Sequence, residues 1–126
     1  MAEQGSRALV FPERFRAQAQ GRVQGLLIAG PQSAARFEVR LQVEGSKPLP
    51  PAQTYPMTGL PRQALDLPYP DQPPLPAGTC LRLIWLGQRQ VPGIEAGCSL
   101  RVSGLLSLRG DEPTIYNPRY EIIQAP

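Results

Sequence analysis

No histidine occurs in this sequence, lysine occurs once, at Lys47, and there are only two cysteines, Cys80 and Cys98. Without imidazole the commonest side-chain acid and base is missing. Two separated thiols make a poor zinc site, and they are too few for a disulfide scaffold, so both are expected as buried free thiols. No Gly-rich loop leads into a helix that could cradle phosphate. Asp111 and Glu112 are adjacent but fall in a turn-forming stretch, where nothing would separate their pKa values for paired-carboxylate chemistry. These absences argue against an enzyme and against a resident metal or cofactor. No apolar run is long enough to span a bilayer, and "MAEQGSRALVF" lacks the uninterrupted apolar stretch of a signal peptide. No membrane partner is expected, and a cytoplasmic location is the default.

Helix is disfavoured as well. Among 126 residues stand 16 prolines and 12 glycines, a density that suits strands, turns and extended loops. The length fits one domain with one core, residues 1–126. Basic character is modest, a net charge of +3, yet it is carried almost wholly by arginine. A guanidinium offers a planar fork for phosphate and a flat face for stacking, although GC-rich codon usage is a second source of such a bias.

Along the chain the clearest periodicity is "ARFEVRLQVEG". There Phe37, Val39, Leu41 and Val43 alternate with Arg36, Glu38, Arg40, Gln42 and Glu44, as in a strand with one buried and one wet face. A preceding strand is read in "GRVQGLLIAG", with Gly25 permitting a bend or bulge. Residues 1–20 are expected as an N-terminal arm or a short helix starting at Phe11-Pro12. From Lys47 to Pro76 ten prolines exclude a central strand, giving a long insertion whose Leu60, Leu65, Leu67 and Tyr69 would lie over the barrel. Order returns in "TCLRLIWLGQRQ", where Leu81, Leu83 and Trp85 share a face opposite Arg82. The turn "VPGIEAG" follows, with Ile94 as a plug. Next come "SLRVSGLLSLRG", the turn "RGDEP" and the final strand "TIYNPRYEII", kinked at Asn117-Pro118. Five strands with little helix predict an all-β fold: a five-stranded antiparallel barrel with a proline-rich insertion, 47–76, between strands two and three.

The block "LRLIWLGQRQVPGIEAGCSLRVSGLLSLRGDEPTIYNPRYEII" resembles the second half of bacterial OB-fold nucleic-acid-binding domains. It is most similar to small stand-alone actinobacterial OB proteins, which pair a "WLG" strand with a "PGI" turn and an "NPRYE" ending. The wedge domain of RecG-type helicases has a similar "V-x-G … NP-x-Y" rhythm. This chain departs from the pattern in two places: "GQRQVPGIEAGC" is too short for the usual helix between strands three and four, and the proline-rich span replaces a tight turn. The resemblance implies a ligand lying across strands two and three. That places Arg36, Arg40 and Arg82 on the binding face, with Arg89 just beyond strand three. Tyr116 and Tyr120 are candidate stacking rings, with Tyr55 or Tyr69 from the insertion, and Arg119 is a candidate phosphate contact. Trp85, sharing the parity of Leu81 and Leu83, belongs to the core. The competing reading of the arginines is a solvated strand face balanced by Glu38 and Glu44, and strand tyrosines commonly pack with only the hydroxyl exposed.

The functional expectation is a non-catalytic module binding single-stranded DNA or RNA through an Arg/Tyr-lined face. The alternative is an assembly subunit whose proline-rich span grips a protein partner or a second copy. The ending "IIQAP" lacks the acidic tail by which replication-type single-strand-binding proteins recruit partners.

Overall fold

The computed structural model describes residues 11–51 and 72–126. Six strands make up the regular structure of these residues, and none of them is helical. The strands are β1 (Arg14–Ile28), β2 (Arg36–Pro48), β3 (Cys80–Leu86), β4 (Ser99–Ser107), β5 (Thr114–Tyr116) and β6 (Arg119–Gln124). They lie in one sheet of order β1-β2-β3-β5-β4-β6, and an additional β1–β4 pairing closes the first five into a barrel. The fold is an OB-like barrel with one extra strand.

Two expectations about this barrel need correction. It is mixed rather than wholly antiparallel, because β3 and β5 run parallel. The reason is topological: alternating directions around a closed ring require an even number of strands, so a ring of five must contain a parallel pair. It follows that β3 and β4 are not neighbours. The connection 87–98 carries the chain past β3, and β5 then fills the gap between β3 and β4. The N-terminal segment is neither helix nor loose arm from Arg14 onward. Residues 14–20 are strand, and β1 runs unbroken for 15 residues. The alternation of Phe15, Ala17 and Ala19 against Arg14, Arg16, Gln18 and Gln20 has a period of two, and β4 offers it a free edge.

β1 is long because it serves two partners. Its first part pairs with β4, from Arg14 opposite Ser107 to Arg22 opposite Ser99, while its edge along Ala17–Ile28 pairs with β2. Register shifts between Gln20 and Gly21 and between Val23 and Gly25 bend this β1–β2 ribbon. Such bulges increase the local twist that lets a short sheet curl shut. At the first bulge the strands approach so closely that a Cβ on Gly21 would lie 2.1 Å from the Gln42 carbonyl oxygen.

The interior is filled from every strand of the ring. Phe15, Val23, Val39, Leu41, Leu81, Leu83, Leu100, Val102, Leu106 and Ile115 are all buried. Ile94 and Val91 from the 87–98 connection close one end, and Leu75 packs into the same cluster. The indole of Trp85 also belongs to the core. It packs against Phe37 and, edge-on, against Tyr120, with ring centroids 6.0 and 5.7 Å apart, and its Nε1–H donates to the Pro118 carbonyl at 3.2 Å. Of the cysteines only Cys98 is buried; Cys80 faces outward on β3 and is partly exposed.

The last strand breaks where "NP" foretold a kink. Asn117 adopts φ 50°, a left-handed conformation that asparagine tolerates better than most residues. Its N–H donates to Ile84 O at 2.6 Å and its Oδ1 accepts from the Leu86 N–H at 2.9 Å, so the kink is tied to β3. β6 then continues along β4 alone.

The proline-rich span leaves and rejoins the barrel beside β2. Leu49 N–H donates to Arg16 O at 2.9 Å, and the Ser46 hydroxyl bonds both the N–H and the carbonyl of Leu75, at 3.0 and 2.9 Å. Residues 52–71, with Tyr55, Leu60, Leu65, Leu67 and Tyr69, lie outside the described residues.

The two bulge glycines should respond differently to substitution. Gly21→Ala must push backbone against backbone and is expected to cost about 2–3 kcal/mol, lowering Tm by roughly 10 °C. Nothing lies within 4 Å of a Cβ built on Gly25. Gly25→Ala should therefore leave Tm within a few degrees of wild type or raise it slightly. Thermal unfolding of the two variants side by side checks the assignment.

Candidate functional site

The outer side of β2 and β3 is set by the same alternation that fills the core. With Phe37, Val39 and Leu41 inside, Arg36, Glu38 and Arg40 face out, and with Leu81, Leu83 and Trp85 inside, Arg82 faces out. Register places Arg40 directly opposite Arg82. Like charges in that relation repel, so the face needs an internal counter-charge. Glu38 supplies it, with a side chain only 3% exposed. Its carboxylate accepts from Arg82 Nε at 3.0 Å and Nη2 at 3.2 Å and from Arg36 Nη2 at 3.0 Å, and Arg40 Nη2 stands 3.8 Å away. A bidentate fork of this kind is the strongest geometry available to a guanidinium. The Arg82 hydrogen bonds hold the Glu38 carboxyl below its ordinary range, against the opposing effect of burial.

A second carboxylate arrives from the turn between β4 and β5, residues 108–113. Glu112 accepts from Arg40 Nη1 at 2.9 and 3.2 Å and lies 3.7 Å from Arg82 Nε. Unlike Glu38 it is partly in solvent, with 34% of its side chain exposed. The Cys80 thiol completes this corner, 3.8 Å from Arg40 Nη1.

Glu112 also lines a groove of about 590 Å³ in the barrel wall, which it shares with Arg14, Arg82, Arg109, Asp111 and Tyr116. Arg14 comes from the start of β1 and Arg109 from the turn, and neither guanidinium meets a carboxylate among the described residues. Tyr116 is 55% exposed and stands beside Ile84 in the β3–β5 register. Ile84 is fully buried although it lies on the outer face, apart from the core cluster. The row Glu38–Ile84–Tyr116 thus crosses β2, β3 and β5 with a carboxylate, an apolar floor and an open ring in sequence.

The residues singled out from the sequence divide accordingly. Arg36, Arg40 and Arg82 share one face, and Tyr116 adjoins it. Arg89 sits at its end, where its guanidinium donates to the carbonyls of Gly30 and Ser33 and pins the β1–β2 connection, 29–35. Arg119 and Tyr120 are not brought to this face. Arg119 is exposed on the β4–β6 side, opposite Ser103. Tyr120 packs on Trp85 and donates its hydroxyl to Pro92 O at 2.9 Å, a structural placement. Glu44 makes no ion pair with Arg36, Arg40 or Arg82 among the described residues, and Glu112, 72 residues from Arg40 in sequence, takes the balancing role instead. Arg14 and Arg109 went unnoticed because neither lies on strand two or three; the β1–β4 closure, invisible in local periodicity, is what brings them together.

No protein-family model matches this chain, and comparison with curated proteins and with solved structures finds no match either.

Glu38 gives the face a characteristic pH response. Its folded-state pKa is lower than the ordinary 4.5, so between the two values the unfolded chain binds more protons than the native one. The stabilisation is therefore complete above about pH 4.5 and is lost as pH falls through the folded-state value. Glu38→Gln should be less stable than wild type at pH 7, by about 2 kcal/mol given partly exposed arginine partners, and should approach wild type in acid. Urea unfolding from pH 7 to pH 3 checks this; parallel curves for the two proteins would contradict it.

Proposed function

We propose that this protein is a non-catalytic module that binds single-stranded nucleic acid along β2–β3 and into the groove beneath the β4–β5 turn. The observation that carries the reading is that Arg14, Arg82 and Arg109 line one groove with the exposed ring of Tyr116, while Arg36 and Arg40 continue the same outer face across β2. Guanidiniums track a phosphodiester backbone, and an exposed ring offers any base a stacking surface without demanding sequence. Three carboxylates, Glu38, Asp111 and Glu112, share the region, which makes the surface selective for a ligand that brings several phosphates at once. The OB resemblance of Leu81–Ile123 supports the same face. The alternative assembly role rests on the span 47–76, most of which lies outside the described residues.

Fluorescence anisotropy with labelled oligo-dT, a mixed-sequence single strand and an RNA of equal length is the direct test. Binding should weaken with salt, with a slope of log K against log salt of about −2 for three phosphates neutralised on a single strand. Arg109→Ala and Arg14→Ala should each flatten that slope by about 0.7. Tyr116→Ala should weaken binding by roughly 1–3 kcal/mol, and Tyr116→Phe should retain most of it. Arg119→Ala on the β4–β6 side should change little. Failure of all three oligonucleotides to bind at low salt would end the proposal, as would an Arg119→Ala loss equal to that of Arg109→Ala.

A further inference from the structure

The two carboxylates among the arginines are held differently. Glu38 is buried on a central strand and grips Arg82 through both oxygens, so removing it exposes like charges to one another. Glu112 stands on a six-residue turn with a third of its side chain in water, and both its oxygens converge on a single nitrogen, Arg40 Nη1. Arg40 is thus the guanidinium of the face whose nearest partner is exchangeable: Glu38 approaches it only to 3.8 Å. A phosphodiester oxygen matches a carboxylate oxygen in charge and acceptor capacity.

We propose that Glu112 is a built-in competitor for the ligand: in the free protein it occupies Arg40 and screens Arg82, and an incoming phosphate takes its place. The proposal deepens the nucleic-acid reading and rests on it. Binding at Arg40 then exchanges one anion for another instead of filling an empty cation site. An isolated phosphate gains little from that exchange. A strand already held at Arg14, Arg109 and Tyr116 presents its next phosphate at high local concentration and displaces the carboxylate. The turn carrying Glu112 also carries Arg109, so its departure from Arg40 leaves a groove-lining cation on the same turn as the released acid.

The test compares Glu112→Gln with Glu121→Gln. Both remove one negative charge, but Glu121 pairs with Arg101 on the β4–β6 side, at 2.9 Å. With labelled oligo-dT at low salt, Glu112→Gln should bind about two- to fivefold tighter than wild type, the range set by a partly exposed ion pair. The salt slope should stay within a few tenths of the wild-type value, because the bound strand places a phosphate on Arg40 in both proteins. Glu121→Gln should match wild type closely, and in an Arg40→Ala background most of the gain from Glu112→Gln should be lost, leaving only the part owed to Arg82 and the groove. Thermal unfolding run alongside should show all variants folded at the assay temperature. Wild type that binds, with Glu112→Gln no tighter than Glu121→Gln, overturns the competitor alone. Wild type and Glu112→Gln both failing to bind overturns the nucleic-acid reading and the competitor with it.

Discussion

The pairing of β1 with both β2 and β4 is the constraint on which the rest of the molecule depends. A sheet of five short strands left open would carry two unsatisfied edges and a core exposed along one side. One strand of 15 residues, bent at two bulges, removes both edges. Closure fixes an inside and an outside for every strand, so alternating residues have no choice of face. The charged surface follows directly: with the apolar half of β2 and β3 committed to the interior, Arg36, Glu38, Arg40 and Arg82 must share the exterior.

That exterior is a balanced surface rather than a plain basic patch. Two arginines face each other across β2 and β3, and the arrangement holds because a nearly buried carboxylate lies between them. Glu38 therefore acts on three guanidiniums at once, bonding Arg82 and Arg36, standing near Arg40 and partly neutralising their charge. Cations that meet no carboxylate among the described residues are found a short step away, in Arg14 and Arg109 beside the open ring of Tyr116. The proposed ligand, with phosphates spaced along a chain, would engage both regions at once, whereas a small anion would meet carboxylates wherever it met Arg40 or Arg82. The modest net charge of the chain is consistent with this local arrangement.

Much of the architecture could be read from the chain. The alternation in "FEVRLQV" and "LRLIW" assigned inward and outward residues correctly on β2 and β3, and it placed Trp85 in the core. "NP" marked the break in the final strand, and Gly25 lay at a bulge. What escaped had a common cause. Residues 14–20 carry alanines at their inward positions, too small for a strong amphipathic signal, and they become strand because β4 supplies their partner. The parallel β3–β5 pair leaves no local trace, since strand direction depends on how the ring is closed. Tyr120 and Tyr116 read alike in sequence, but the kink at Asn117 sends one onto Trp85 and leaves the other in water.

Residue by residue, then, the order of amino acids determined which segments are extended, which of their sides are apolar, and where glycine, asparagine and proline interrupt them. These are matters of backbone sterics and periodicity, settled within a few neighbouring residues. Only the tertiary structure decided which charges meet. Arg40 and Glu112 stand 72 positions apart, and Arg14 shares a groove with Arg109 because the barrel closes between them. Electrostatic partnership depends on distance through space, and in a closed barrel that distance is set by strand order and register, which no short stretch of sequence contains.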